Sequence, residues 1–342
     1  MKNRNTSTDF ARCITRFLTS HLPGERNLSP QTVKSYSIAL RMYIGYVESS
    51  VGIKPERIML RDVTADSVMG FLVSMNGQIS PQTHNQRLSA LKTFVRYALL
   101  EYPAFLQNGQ RILAIASKRC AEHEIIYFEK DAMKALLATP DQNFPRGRRD
   151  LAIMSMLYDT GARIQELIDL KVKYIRLEKP ETVTLLGKGN KMRSVPIMAE
   201  TARVVESYLR DCGLMGQSAI GDVYLFNSVN RAQFTRPGIT KIIKRHLLAA
   251  KAANPAIVFP KDVYPHAFRA SKAIHLLESG VNIIAIRDFL GHACVSTTQV
   301  YLRVNNKAKR EAIIQAYPSL VDVVPPWKEN NDLMALLKEL CS

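Results

Sequence analysis

The sequence predicts a mainly α-helical protein made of an N-terminal helical bundle and a second, α-rich domain that carries a small antiparallel β-sheet. Three observations predict it. Long stretches place apolar residues at helical spacing, and two of them open with the same pair, Ser29-Pro30 and Ser80-Pro81. A polar, charged stretch, SKRCAEHE, marks an exposed linker over residues 116–125. Beyond it, YIRLEK, TVTLLGKG and MRSVPIM alternate with the period of strands, and GKGN supplies a hairpin turn.

In the first domain, residues 1–115, FARCITRFLTSHL predicts a helix over Phe10–Leu22, and PGERNLSP a turn after it. Proline is favoured in a first helical turn, where its missing N–H is not needed, so Ser29 and Pro30 start a long helix through TVKSYSIALRMYIGYVESS. Its apolar positions include Val33, Tyr36, Leu40, Tyr43, Ile44 and Val47, while Lys34 and Arg41 are basic. ADSVMGFLVSM predicts a further helix after Thr64. Ser80 and Pro81 open QTHNQRLSALKTFVRYALLEY, with Leu88, Leu91, Phe94, Val95 and Ala98 on one face and Arg87, Lys92 and Arg96 elsewhere. The aromatic and apolar stripes read as core packing.

The second domain, residues 126–320, begins with a helix over Glu129–Ala138. RRDLAIMSMLYDTG is a strongly apolar helix closed by Gly161, and residues Ala162 to Leu167 begin the next. Arg163 falls in that helix's first turn, where the dipole disfavours a cation unless an anion faces it. After the strands come an amphipathic helix from Glu200 to Gly213, a loop to Gln233, and the helix PGITKIIKRHLLAAKAAN with Lys241, Lys244, Arg245 and Lys251. Such a basic run is either a solvated face or a track along a nucleic-acid backbone. In the tail, residues 321–342, DLMALLKELCS predicts a short helix with Leu333, Leu336, Leu337 and Leu340 in a stripe, which folds back on its own domain or docks on a neighbouring subunit.

An apolar fraction of 46% and a charged fraction of 23% belong to an ordinary globular protein, and 342 residues suffice for two domains. The net charge of +17 requires a polyanion, an acidic membrane surface or an acidic protein as partner. The excess is spread over both halves, +7 up to residue 125 and +10 after it. Five cysteines, odd in number and without a Cys-x-x-Cys pair, argue against a disulfide framework and a structural zinc and fit a reducing cytoplasm. Arg12, Arg16 and His21 interrupt any secretory core, and no run approaches the roughly 20 apolar residues of a membrane span.

The stretch HAFRASKAIHLLESGVNIIAIRDFLGHACVSTTQVY sets the chemistry. His266 and Arg269 stand three apart after Pro265, so they share one helical face and can share one ligand. The next helix stops at Gly291, leaving His292 at its end, and a third, capped by Ser296 or Thr297, carries Tyr301.

At these residues the chain resembles the tyrosine recombinases, or phage integrase family, whose pattern ends in His-x-x-Arg, Leu-Gly-His, a threonine pair and a nucleophilic tyrosine. Here those are His266, Arg269, Leu290, Gly291, His292, Thr297, Thr298 and Tyr301. Ala270 departs from it, since the family often has a second histidine there. YDTGARIQEL resembles the family's first arginine box, which makes Arg163 the first phosphate clamp and Glu166 its acidic support. The family's catalytic lysine sits on the hairpin, where Lys188 is the better match and Lys191 the alternative. Gly187–Lys191 lacks the spacing of a nucleotide-binding loop, so no ATP is implied.

The resemblance implies transfer of a DNA phosphodiester to Tyr301 as a 3′-phosphotyrosyl ester. Arg163 and Arg269 would hold the nonbridging oxygens with planar forks and His292 would add a hydrogen bond. His266 is the expected base and Lys188 the expected acid for the 5′ oxygen. Ester replaces ester, so neither cofactor nor metal is expected. Lys34, Arg41, Arg87, Lys92, Arg96, Lys191, Lys241, Lys244 and Arg245 are the expected DNA contacts.

The partner would be double-stranded DNA bearing recombination sites. The chain would be a monomer or dimer off DNA and a homotetramer in the synapse, with accessory recombinases or DNA-bending proteins possible and no membrane. IRDFLGHACVSTTQVYLRVNNKAKREAI resembles integrases and transposases of mobile elements; a chromosome- or plasmid-dimer resolvase and a nicking-closing topoisomerase are the alternatives. A helix-turn-helix regulator leaves Tyr301 and Lys188 unexplained.

Overall fold

A computed structural model describes residues 7–120, 124–187, 189, 191–215, 222–227, 233–302, 335 and 337–340. The chain divides into two compact units between His123 and Glu124.

The first unit is helical throughout its regular structure. The Thr8 hydroxyl caps α1 (Asp9–Arg16) by accepting the Ala11 N–H at 3.1 Å. The helix does not stop at Leu22 as its apolar spacing predicts; it widens to π winding over Phe17–Glu25 and runs past Pro23. A proline N–H is missing from any helical ladder, so continuation through it relies on packing. Phe17, which stands 5.4 Å from Phe94, and the fully buried Leu22 provide that.

The Ser-Pro starts behave as expected: Ser29 caps α2 (Pro30–Tyr46) and Ser80 caps α4 (Pro81–Glu101), each hydroxyl accepting an N–H three residues on. Thr64 and Ser67 exchange bonds as a capping box for α3 (Ala65–Ser74). The structure adds α5 (Leu106–Ala114), which the polar stretch LQNGQRIL conceals. Gly109 lets α5 lie close on α4, since a Cβ there would come within 2.6 Å of the Leu99 side chain and push it aside.

In the second unit, α6 (Lys130–Leu137) leads to α7 (Pro145–Thr160), the central helix, whose residues 150–157 are all buried. The short α8 (Ile164–Ile168) precedes a three-stranded antiparallel sheet in the order β1 (Ile175–Arg176), β2 (Thr182–Leu186), β3 (Met192–Pro196). Val183 pairs with Val195 and Leu185 with Arg193, so one face, Val183, Leu185 and Val195, enters the core. YIRLEK yields only a two-residue strand.

Helices α9 (Ala199–Asp211) and α11 (His266–Glu278) pack on α7, while α10 (Arg236–Ala253) packs on α6, α7 and α8. Asp150, buried inside α7, gathers Arg149, Arg245 and His246, which ties α10 to that helix. Last come α12 (Ile283–Leu290) and α13 (Ser296–Leu302), which begins at Ser296 itself. Lys188 and the tail from residue 303 to 334 lie outside the described residues; beyond them Leu337 and Leu340 are exposed. No helix among the described residues is long and apolar enough to cross a membrane.

Candidate active site

The site begins where α7 ends. Gly161 takes a left-handed conformation at φ 57°, and a Cβ there would stand 2.8 Å from the Leu290 side chain, so glycine alone fits both turn and neighbour. The chain then turns straight into Arg163, which is the N-cap of α8 rather than a first-turn residue. Glu166 reaches back to it twice, accepting the Arg163 N–H at 2.9 Å and Nη1 at 2.7 Å. The same carboxylate accepts Arg193 Nη1 at 3.1 Å and Nη2 at 2.7 Å.

Burial works to raise the Glu166 pKa, but Arg193 and Arg163 outweigh it and hold the carboxyl below its ordinary value. Its stabilisation is therefore complete above the unfolded carboxylate pKa and is lost as pH falls through the lower folded value. Glu166→Ala strips Arg193 of its carboxylate, and removing one partner of a buried pair costs about 3–5 kcal/mol. Urea unfolding at pH 7 should show that loss, and the gap to the parent should narrow in acid.

Helix α12 organises the rest. It closes in a Schellman turn, with Gly291 at φ 65° and the His292 N–H donating to the Arg287 carbonyl at 3.0 Å. Its last carbonyls point at cations. Phe289 O accepts Arg193 Nε at 3.1 Å, Leu290 O accepts Arg269 Nη2 at 2.6 Å, and Gly291 O accepts Arg163 Nη2 at 3.4 Å. Three guanidiniums thus rest on three successive carbonyls at the negative end of one helix.

Arg269 also donates Nη1 to Gly161 O at 2.7 Å and is 1% exposed. Its buried Nε has no hydrogen-bond partner among the described residues. Burial, followed by the Arg163 charge, lowers its pKa to about 10, which leaves it cationic at neutral pH. A buried, cationic fork whose charge also acts on Tyr301 and His292 suits an oxyanion.

Tyr301 is 5% exposed, its ring nearly parallel to that of His292 at 6.4 Å between centroids. Burial raises the phenol pKa, while Arg269, by its charge and a hydrogen bond, and then the Arg163 charge pull it down. Desolvation, then Arg269, Arg163, His266 and Arg193, push half-buried His292 to about 4, so its ring is neutral at pH 7. Its Nδ1 lies 2.8 Å from the Thr298 hydroxyl. His266 is exposed yet set in a crowded neighbourhood; desolvation and the same two arginines lower its pKa, so it is a proton acceptor at neutral pH.

Arg163, Glu166, His266, Arg269, His292 and Tyr301 therefore converge. Lys188 lies outside the described residues, while Lys191 is exposed at the hairpin, where Gly187 N–H donates to its carbonyl at 2.8 Å. Lys34, Arg41, Arg96, Lys241, Lys244 and Arg245 are exposed on their helices, although Arg245 also pairs with Asp150. Arg87 is half-buried, and Lys92 is engaged by the Ile115 carbonyl at 2.5 Å. Sequence reasoning missed Arg193. The signal was there: in MRSVPIM it takes the inward register of Val195 and Ile197, where a charge needs a partner.

Residues 127–308 match the phage integrase family, and residues 14–102 match its N-terminal SAM-like domain. A Sinorhizobium fredii protein named "Putative integrase/recombinase y4rC" is 30% identical over 96% of this chain and 98% of its own length. Tyrosine recombinase XerC of Pelobacter propionicus is 30% identical over 87% of this chain and 93% of its own. In fold, the chain is similar to the Tn1549 transposon integrase in complex with a circular-intermediate DNA (TM-score 0.67, 16% identity, 91% of this chain and 100% of that one). It is also similar to XerH recombinase bound to its difH substrate after cleavage (TM-score 0.66, 19% identity, 91% and 90%). With more than half of the chain matched and relatives aligned along most of its length, the chain belongs to the phage integrase family and is a site-specific tyrosine recombinase.

Proposed function

We propose that this recombinase cuts one strand of each recombination site with Tyr301 and serves to integrate or excise a mobile element. The observation that carries the chemistry is the convergence of the Arg163 and Arg269 guanidiniums on the Tyr301 phenol, with the His292 imidazole beside it. The Tyr301 oxygen attacks phosphorus in line, His266 accepts its proton, and the bond to the 5′ oxygen breaks as Lys188 protonates it, with Lys191 as the alternative donor. Arg163, Arg269 and His292 hold the charge that builds on the nonbridging oxygens. The 3′-phosphotyrosyl ester conserves the energy of the broken bond, so the exposed 5′ hydroxyl of a second duplex reverses the step and a Holliday junction forms.

Four subunits on two DNA sites supply the strands, and the exposed Lys34, Arg41, Arg96, Lys241 and Lys244 follow the backbones in the cytoplasm. The y4rC relative and the resemblance through residues 286–313 support the mobile-element role. The XerC and XerD relatives support a second reading, resolution of chromosome or plasmid dimers.

A nicked suicide duplex of the flanking DNA tests the chemistry: the trapped peptide should carry its nucleotide on Tyr301, and attachment elsewhere overturns the assignment. Exchange confined to element ends supports integration, whereas exchange at a chromosomal dimer site supports resolution. Relaxation of any supercoiled plasmid without a preferred sequence contradicts both.

A further inference from the structure

Thr298 has no place in the reaction just described, yet it is fully buried beside it. Its hydroxyl meets His292 Nδ1 at 2.8 Å, and no other partner for that hydroxyl occurs among the described residues. A neutral imidazole carries one proton, and the bond made by one nitrogen decides what the other can do. If Nδ1 held that proton, the ring would donate to Thr298 and the buried hydroxyl hydrogen would be left without an acceptor. If the hydroxyl donates to Nδ1 instead, both buried partners are satisfied and the ring proton stays on Nε2.

We propose that Thr298 is a positioning residue that fixes His292 in the Nε2–H form, and that the nucleophile's own helix thereby sets the histidine that serves the phosphate. Thr298 and Tyr301 stand three apart on α13 and so face the same side, and the Tyr301 ring lies parallel to the imidazole. Docking of α13 then delivers the phenol and the correct tautomer together. A site from which α13 has withdrawn holds its arginines but has lost the bias that makes His292 a donor. The low pKa of His292 agrees, since a cationic ring would donate from both nitrogens and need no such setting.

This inference rests on the assignment of His292 to a phosphate oxygen, so its test separates the two. In the full-length protein with 15N-labelled histidine, the His292 resonances, identified by their loss in His292→Ala, should report Nε2–H in the parent; an Nδ1–H ring overturns the proposal without any variant of Thr298. Thr298→Val keeps shape and removes the hydroxyl. Single-turnover cleavage of a nicked site should fall about 10-fold with DNA affinity unchanged, less than the 10²–10³-fold expected for His292→Ala, because a freed ring still samples the right form. Thr298→Ser should restore both the rate and the tautomer. Parental cleavage by Thr298→Val beside a crippled His292→Ala overturns the role of Thr298 alone. Parental cleavage by His292→Ala overturns the phosphate assignment and this inference with it.

Discussion

Tyr301→Phe is expected to abolish covalent attachment to DNA while leaving affinity for the site within a few-fold of the parent. A phenyl ring offers no oxygen that can bond phosphorus. The fold should tolerate the change, because the ring that packs beside His292 remains and only the buried oxygen is lost. In the parent, burial holds the phenol protonated at neutral pH, so attack requires a proton acceptor. With His266 in that role, parental cleavage should decline as pH falls through its lowered pKa and the ring becomes cationic. Denaturing gels of suicide-duplex reactions across pH check both statements; a Tyr301→Phe protein that still gains a covalent DNA band defeats the assignment.

Arg269→Ala should slow single-turnover cleavage by about 10³–10⁵-fold, the range for an arginine that meets developing charge on a transferred phosphoryl group. Arg269→Lys should recover little of it. The guanidinium bonds Gly161 O with Nη1 and Leu290 O with Nη2, which fixes its plane beside the Tyr301 phenol. An ammonium on a flexible stem reproduces neither the two-carbonyl seat nor the planar fork. Because both carbonyls lose a buried partner, Arg269→Ala should also lower the unfolding free energy by about 1–3 kcal/mol in urea titrations. A lysine variant within about 10-fold of the parental rate contradicts the geometric argument.

The capping residues Ser29, Thr64 and Ser80 announced their helices, because a hydroxyl-to-N–H bond between near neighbours is written in the local sequence. The strand pairing could be read from the alternation of Val183, Leu185 and Val195. The winding past Pro23 could not, since it depends on the packing of Phe17 against Phe94, on a helix far along the chain. Helix α5 was hidden for a similar reason: its glycine is a defect by propensity and an asset only once Leu99 is beside it. At the site, spacing identified the groups that meet DNA in family members. It did not identify what holds them, because Arg193 meets Glu166 across 27 residues and the Phe289 carbonyl of α12 across 96.

That all three guanidiniums sit on the last carbonyls of α12 has a mechanical consequence. Displacing α12 would pull on three seats at once, while Glu166 and the Gly161 carbonyl hold the same guanidiniums from other elements. A change that loosens the end of this eight-residue helix is therefore felt by all three cations together.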